Sequence, residues 1–591
     1  MLQEAIQQAL KALFKLDLSQ EAFLLQPTRK EFEGTHTLVT FTLAKACQQS
    51  PEAVATQLGT WLQKNTTLIE SFHTVKGFLN LQLKDAIWLQ QFHDIYHDPH
   101  FGCCKPNGQK IVVEYSSPNT NKPLHLGHLR NNFLGHAISN ILQAVGYDVY
   151  KVNLVNDRGI HICKSMVAYQ HWGNGETPQS SDLKGDHLVG KYYVLFDKAY
   201  KEQVTALIAG GTSSEEAAQQ APLLQEAQGL LVRWEAGDKS VRDLWHTMNA
   251  WVYAGFEVTY QQLGITFDKT YYESDTYHLG KQIVQEGLAE GVFYAKQDGS
   301  IWVDLTPEGL DNKLLLRTNG TSVYITQDLG TVALRHTDFQ ADKMVYVVGN
   351  EQDYHFKVLA SIIHRLGLPY AAGIHHLSYG MVDLPSGKMK SREGTVVDAD
   401  ELIAEMIQTA EAHTHMLGKI EDFSAAEAQQ LYRTLGLGAL KYFLLRVDAQ
   451  KRLLFDPQAS IDFKGDTGTF IQYTYARIQS VLHKAQAQGL SYRDVPLSHD
   501  IALHPLARDL IVLLTACPEK LQEAANTYAP SVIAQYALDL AKGYNKLYAT
   551  LPILTEANHA QQVLRLQLSD LLARTLQRIL HLLGIDTPHR M

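Results

Sequence analysis

At 591 residues, with 45% hydrophobic and 19% charged side chains, the chain has the composition of an ordinary globular protein and the length for roughly four domains. A net charge of −10 argues against a protein that coats nucleic acid indiscriminately, yet leaves room for a folded RNA partner bound through local basic patches. No apolar run approaches the roughly 20 residues of a membrane span, and the five cysteines, Cys47, Cys103, Cys104, Cys163 and Cys517, form no C-x-x-C pair and leave an odd count, which excludes a zinc ribbon or a disulfide framework.

Residues 1 to 105 read as a small α+β unit. The opening run MLQEAIQQALKALFKL is an amphipathic helix rather than a signal peptide, so a cytoplasmic protein is expected. Alternation of Leu38, Phe41 and Leu43 among threonines predicts a half-buried strand over 35–44. Ser50 and Pro51 then sit as N-cap and first position of a helix through Leu62. Leu79, Leu81 and Leu83 predict a further strand, and Asp85 opens a helix to Tyr96.

Residues 111 to 145 carry the stretch that organises the rest. Ile111, Val112 and Val113 suit a strand buried on both faces, Ser116 to Pro123 break the chain, and apolar residues return at helical spacing from about Gly127 to Val145, with Gly146 at a left-handed cap. A strand feeding a helix through a polar loop is expected to present unpaired backbone amides and a positive helix end to phosphates. The side chains there are Lys122, His125 and His128, with Gly127 between the histidines: donors suited to polyphosphate charge, and a residue that lets a nucleotide approach the backbone. A metal site is not expected, because no third or fourth ligand lies near the histidine pair.

Asp148 to Val155 reads as a second strand, ended by Asn156 to Gly159; that polar end reads either as a substrate-facing cluster or as a plain turn. Residues 165 to 262 are mostly helical and read as an insertion. Beyond it, Glu273, Tyr324 with Asp328, and Gly349 with Gln352 each follow a predicted strand, and alternating strands and helices imply a parallel sheet. Glu273 and Asp328 supply carboxylates, while Asn119, Tyr324 and Gln352 supply neutral acceptors. That set suits a planar guanidinium with five N–H donors. A glycine-bracketed basic loop follows, Leu384 to Thr395, containing Lys388, Met389, Lys390 and Ser391. From about residue 400 the chain reads as helical.

The run SSPNTNKPLHLGHLRN resembles the nucleotide-binding signature of class I aminoacyl-tRNA synthetases, and its Ser-Pro-Asn and Lys-Pro portions are most similar to the arginyl-tRNA synthetases. The basic loop resembles the second signature, Lys-Met-Ser-Lys-Ser, except that Ser391 stands where that motif has its second lysine. In the arginyl enzymes the lysine before the histidine motif, here Lys122, takes over that role. The helical end, with Tyr473, Arg477, Tyr544 and Tyr548, resembles the family's anticodon-binding bundle.

The resemblance implies an α/β protein: a Rossmann-type parallel-sheet catalytic domain (106–400, with the helical insertion at 165–262), an α+β N-terminal domain (1–105) that contacts tRNA or braces the core, a helical connecting region (401–455), and an all-α C-terminal anticodon-binding bundle (456–591). It implies ATP with Mg²⁺, L-arginine and tRNA(Arg) as ligands. ATP would meet Lys122, His125, Gly127, His128, Gly349, Lys388, Met389 and Lys390. Among these Lys122, His125, His128, Lys388 and Lys390 would be catalytic, and no protein-held metal is expected. Arginine would be gripped by Asn119, Glu273, Tyr324, Asp328 and Gln352, and anticodon bases would meet Tyr473, Arg477, Tyr544 and Tyr548. A monomer without a membrane or obligate protein partner is expected.

Overall fold

Consecutive β-branched and apolar residues at Ile111–Val113 and at Met344–Val348 can be buried on both faces only in the middle of a parallel sheet covered by helices. The computed structural model, which describes the chain apart from residues 20–21, 30, 384–396, 417–421, 463–464 and 499–500, places them there. The described chain divides into two compact units. One comprises Met1–Phe101, Ser480–Cys517 and Lys542–Arg574, the other Gly102–Gln479, Pro518–Ala541 and Thr575–Met591.

In the first unit, strands β1 (Leu25–Pro27), β2 (His36–Val39), β3 (Ile69–Val75) and β4 (Phe78–Leu83) form an antiparallel sheet in the order β1-β2-β4-β3. Helices α1 (Leu2–Phe14), α2 (Phe41–Cys47), α3 (Pro51–Asn65) and α4 (Asp85–His97) accompany it. Ser50 caps α3 by accepting the Ala53 amide at 3.2 Å. The strand expected over 35–44 stops at Val39. Thr40 is buried with its hydroxyl donating to the carbonyls of Gly77 and Pro51, which turns the chain into α2.

The second unit is built on strands β5 (Lys110–Glu114), β6 (Asp148–Val155), β7 (Lys269–Tyr272), β11 (Lys343–Gly349) and β12 (Ile374–Tyr379), all parallel, in the order β12-β11-β5-β6-β7. This is the doubly wound order whose direction reverses between β5 and β11, and in such sheets ligands bind outside the carboxyl ends of the strands at that reversal. Helix α5 (Leu126–Ala144) follows β5. Gly146 beyond it has φ +97°, as its predicted cap position requires, and a Cβ there would lie 2.2 Å from the Lys105 carbonyl oxygen.

The insertion is helical: α6 (Ile160–Trp172), α7 (Pro178–Ser181), α8 (Gly185–Ala209), α9 (Ser214–Gln220), α10 (Pro222–Glu235) and α11 (Lys239–Leu263). After β7 come α12 (Glu273–Thr276), α13 (Gly280–Ala289), a small antiparallel sheet of β8 (Tyr294–Ala295), β9 (Ile301–Val303) and β10 (Lys313–Leu316), then α14 (Tyr324–Phe339). Helix α15 (Asp353–Arg365) follows β11. Strand β13 (Val382–Asp383) pairs in parallel with β14 (Leu453–Leu454), on either side of α16 (Ala399–Met416) and α17 (Ala425–Leu445). Helices α18 (Pro457–Ser460), α19 (Gly468–Ala487), α20 (Pro505–Thr515), α21 (Cys517–Thr527), α22 (Pro530–Thr550) and α23 (His559–Leu582) complete the chain. Among the described residues no helix is long and apolar enough to cross a membrane.

The sheet core contains a buried charge pair, Arg335 of α14 with Glu114 at the end of β5. The guanidinium lies between the rings of Tyr271 and Tyr346, 5.4 and 5.3 Å from their centroids. This pair fixes α14 against the first strand of the sheet.

Candidate active site at the carboxyl edge of the parallel sheet

The three-residue spacing of the histidines is the spacing from a helix N-cap to its third position. His125 is the N-cap of α5, in extended conformation, and its Nδ1 accepts the Gly127 amide at 3.1 Å. His128 turns back, and its Nδ1 accepts the His125 amide at 3.1 Å. The pair is a capping box made of two imidazoles, with ring centroids 3.9 Å apart. A Cβ at Gly127 would lie 3.0 Å from His125 Cε1, so glycine lets this ring fold back onto the helix end.

Burial, reinforced by the charge of Lys122, holds His125 down at about 3, and burial with the same neighbours holds His128 well below the usual imidazole range. Both rings are therefore neutral at pH 7. Because each Nδ1 accepts from a backbone amide, the proton of each ring resides on Nε2, which becomes a hydrogen-bond donor.

One expectation is corrected here. The first-turn amides of α5 are not an unpaired cradle: Leu126 N donates to Val397 O (3.1 Å), Gly127 N to the His125 ring, and His128 N to His125 O (2.7 Å). A phosphate approaching this helix end meets imidazole Nε2–H groups, because the cap has already engaged the backbone donors.

The loop between β5 and α5 holds two consecutive non-glycine residues in the left-handed region, Ser116 (φ +74°) and Ser117 (φ +44°). Such conformations cost on the order of 1–3 kcal/mol each and persist only when the surroundings hold them. Here the Ser116 amide donates to Asn131 Oδ1 (2.6 Å), the Ser117 amide to Asn153 Oδ1 (3.0 Å), and Ser116 Oγ lies 2.7 Å from the Tyr260 hydroxyl of α11.

The turn after β6 is a structural joint rather than a plain turn. Asp157 is buried, and its carboxylate accepts from the Ser274 amide (2.9 Å), the Ser274 hydroxyl (2.7 Å) and the Tyr253 hydroxyl (2.9 Å). Through Ser274 it fixes Glu273, the first residue of α12. Burial pushes the Glu273 carboxyl up to about 7, with Arg158 opposing and the charges of Asp157 and Asp328 adding to the shift. Asp328 thus lies within the electrostatic reach of Glu273, and its Oδ2 is 2.5 Å from His355 Nε2 at the start of α15.

Asn119 is exposed and bridged in parallel to Asn156, next to Asp157. Tyr324, 78% exposed, lies one helical turn before Asp328 on the same face of α14, and Gln352 is exposed, three residues before His355. Tyr324 and Asp328 were expected at the end of a parallel strand. They lie instead in the first turns of α14, and the strand before them, β10, belongs to the small antiparallel sheet. The Leu314–Leu316 run carries the same apolar signal in either kind of sheet, so sequence could not separate the two. A Cβ at Gly349 would meet nothing within 4 Å, so the end of β11 is open above the backbone.

Lys388, Met389, Lys390 and the Ser391 departure lie outside the described residues. The flanks of that segment are described. Upstream, the buried Arg130 of α5 donates to Gly380 O, and downstream Val397 and Ala399 exchange backbone hydrogen bonds with Leu126 and Leu124. A cavity of about 300 Å³ lies between Lys122–His125, His187 and Gly190 of α8, and Asp398 and Glu401 at the start of α16; Glu273 and Asp328 are not in its wall. His187, Asp398 and Asp400 bring their ligand atoms within 4.8 Å of one another, but the Lys184 ammonium pairs with Asp400 and already supplies a cation.

The aromatic positions of the helical end divide. Arg477 lies 4.8 Å from the Tyr473 ring centroid in α19, with both residues half-buried, and Tyr548 is exposed. Tyr544 is fully buried with its hydroxyl 3.2 Å from Ser569 Oγ, so it is a core residue rather than a stacking platform.

Sequence reasoning passed over Arg130, Asn131, Asn153 and His355, and left Asp157 between a site residue and a plain turn. An arginine with Leu126, Leu129, Phe133 and Leu134 at its helical neighbour positions was a signal for Arg130, since a buried guanidinium requires partners. Asn131 and Asn153 gave no signal, because the backbone strain they hold is visible only in coordinates.

A doubly wound parallel sheet whose first strand feeds a histidine-capped helix is the arrangement expected of a class I tRNA synthetase, and residues 94–456 match the family described as tRNA synthetases class I (R), catalytic domain. Residues 1–83 match the arginyl tRNA synthetase N terminal domain, and residues 471–591 the DALR anticodon binding domain. The chain belongs to the arginyl-tRNA synthetase family. It is 65% identical over 590 residues to the arginine--tRNA ligase of Amoebophilus asiaticus, covering 100% of this chain and 99% of the relative, and 52% identical over 584 residues to that of Bacteroides thetaiotaomicron, covering 98% of each. Among solved structures, Thermus thermophilus arginyl-tRNA synthetase superposes with a TM-score of 0.77 at 25% identity, covering 100% of this chain and 99% of that one.

Proposed function

We propose that the chain activates L-arginine with ATP and transfers it to the 3′-terminal adenosine of tRNA(Arg), releasing AMP and diphosphate. The relatives named above bear the name of that ligase. The observation that carries the reading is the neutral His125–His128 cap, two Nε2–H donors at the reversal point of the sheet, on the same carboxyl edge as the linked carboxylates Glu273 and Asp328.

In this reading the arginine carboxylate attacks the α-phosphorus of ATP in line and diphosphate leaves; the 2′- or 3′-hydroxyl of the tRNA adenosine then takes the arginyl group. Lys122, His125, His128, Lys388 and Lys390 stabilise the charge that builds on the phosphates, and no protein nucleophile is needed. Gly127, Gly349 and Met389 shape the nucleotide site. Asn119, Glu273, Tyr324, Asp328 and Gln352 surround the guanidinium, and lysine, lacking the fork, would leave acceptors unpaired and be rejected by roughly 10⁴-fold.

Mg²⁺ enters with ATP and neutralises phosphate charge. That fits the His187–Asp398–Asp400 cluster, whose acidic groups are already paired with Lys184 and His187, so that the ion is carried by the nucleotide. Residues 1–105 and the helical end from 456, through Tyr473, Arg477 and Tyr548, are read as the tRNA-contacting parts. A cytoplasmic monomer is proposed, and the free thiols of Cys47, Cys103, Cys104 and Cys163 suit a reducing compartment.

Exchange of labelled diphosphate into ATP, run with each amino acid and with and without tRNA, tests this. Arginine-dependent exchange is expected. Exchange with lysine or glutamate in its place would remove the assignment, and no exchange under any condition would favour a non-catalytic tRNA-binding paralogue.

A further inference from the structure

Arg130 is completely buried in α5, two residues beyond His128. Its guanidinium has no carboxylate within reach of an ion pair among the described residues; instead Nη1 donates to Gly380 O (2.8 Å) and Nη2 donates to the carbonyls of Lys451 (2.9 Å), Ala449 (3.1 Å) and Asp448 (3.3 Å). A desolvated cation satisfied by backbone dipoles is costly to place, and a planar fork is the side chain that can hold several carbonyls in fixed directions.

The carbonyls it gathers belong to one construction. Gly380 N donates to Ala449 O (2.8 Å), β13 pairs with β14, and Arg452 forms an ion pair with Asp383 at 2.8 Å. This paired ribbon is the upstream flank of residues 384–396. The downstream flank is held to the same stretch of chain: Leu126 N donates to Val397 O (3.1 Å), Ala399 N donates to Leu124 O (3.0 Å), and His125 bridges Asp398. Both flanks of the second signature are thus attached to Leu124–Arg130, the residues that contain the histidine cap.

We propose that Arg130 is a positioning residue for the ATP-dependent step. Its guanidinium ties the helix that carries His125 and His128 to the ribbon of β13 and β14, so that the two imidazoles meet the triphosphate from a fixed place. The proposal rests on the function proposed above. Arginine recognition, assigned to Asn119, Glu273, Tyr324, Asp328 and Gln352, does not pass through Arg130.

Arg130→Lys keeps a buried cation of similar length but loses the fork. Steady-state diphosphate exchange, active-site titration and thermal unfolding are compared with the wild type. The expected result is a fall of about 10²-fold in kcat and a rise of about tenfold in the ATP KM, with the arginine KM within about twofold of wild type and most sites titratable. An unchanged kcat and ATP KM overturns the proposal. So does a loss confined to the titratable fraction, or a shift of the arginine KM as large as that for ATP. If Arg130→Lys does not fold, Gly380→Ala tests the same joint from its other side, since a Cβ there would lie 2.7 Å from the Lys451 carbonyl carbon, and the same split of KM values is required of it. Wild-type protein that shows no arginine-dependent exchange even with tRNA present would refute the proposed function and not this joint.

Discussion

Asn131 Oδ1 accepts the amide of Ser116 at 2.6 Å, while Asn131 Nδ2 donates to Val347 O at 2.7 Å and to the Tyr379 hydroxyl at 3.2 Å. One side chain on the histidine helix thereby holds the strained exit of β5 and the end of β11, the two strands between which the sheet reverses. Asn131→Ala leaves a buried amide and a buried carbonyl without that partner, which costs about 1–3 kcal/mol for each group left unsatisfied. A lower urea midpoint with an unchanged m-value and a slower exchange rate are expected. A variant with wild-type rate and stability would show that the left-handed pair needs no support from Asn131.

Glu273 gives the site a pH dependence. Its carboxyl is pushed up to about 7 by burial, with the charges of Asp157 and Asp328 contributing, so the acid form predominates below that pH in the free protein. A guanidinium binds the carboxylate form, hence arginine affinity is complete above about pH 7 and falls as the pH drops, by up to about tenfold per unit for one linked proton. Measured from pH 6 to 8, the arginine KM of wild type should rise toward acid, and that of Glu273→Gln should be higher throughout, by about 10²-fold, and flat. A pH-independent wild-type KM would contradict the role given to Glu273.

The histidine cap predicts ring nitrogen chemistry that spectroscopy reads directly. His125 and His128 are held neutral by burial, with Nδ1 accepting from amides, so nitrogen-detected spectra at pH 7 should show the Nε2–H tautomer for both, and His125 should not titrate until about pH 3. Replacing either with alanine removes a donor and is expected to lower kcat by about 10²-fold to 10³-fold. A charged imidazole at pH 7 would overturn the assignment.

Arg335 and Glu114 form a buried pair in the sheet core, so single removal should be far worse than joint removal. Glu114→Gln or Arg335→Met is expected to destabilise by about 3–5 kcal/mol, because each leaves an uncompensated buried group, and the double variant by less than the sum. Additive urea-denaturation losses would mean that the two side chains act independently.

The parts of the fold legible in sequence were those written as local patterns. The boundaries of β6 follow from its apolar run and polar end, and the Ser50–Pro51 cap fixed the start of α3, because those signals do not depend on distant contacts. The strand expected over 35–44 ended early, since Thr40 turns the chain by bonding to Pro51 and Gly77, and no alternation pattern reveals such partners. At the site, the histidine spacing was legible as a motif, yet its meaning as a cap was not, because the direction of each ring is set in three dimensions. Asp157 read as well as a turn as it did as a site residue; only the convergence of Ser274 and Tyr253 upon it separates the two.

The engaged amides at the start of α5 have a further consequence. In a phosphate loop built from main-chain N–H groups, most of the anion's partners survive any single substitution, because every residue type but proline supplies the same amide. Here the helix tip offers an incoming nucleotide imidazole edges, which exist only while codons 125 and 128 specify histidine. Point mutation at either position therefore strips the docking point itself and, by releasing one half of the reciprocal cap, also frays the helix that carries it.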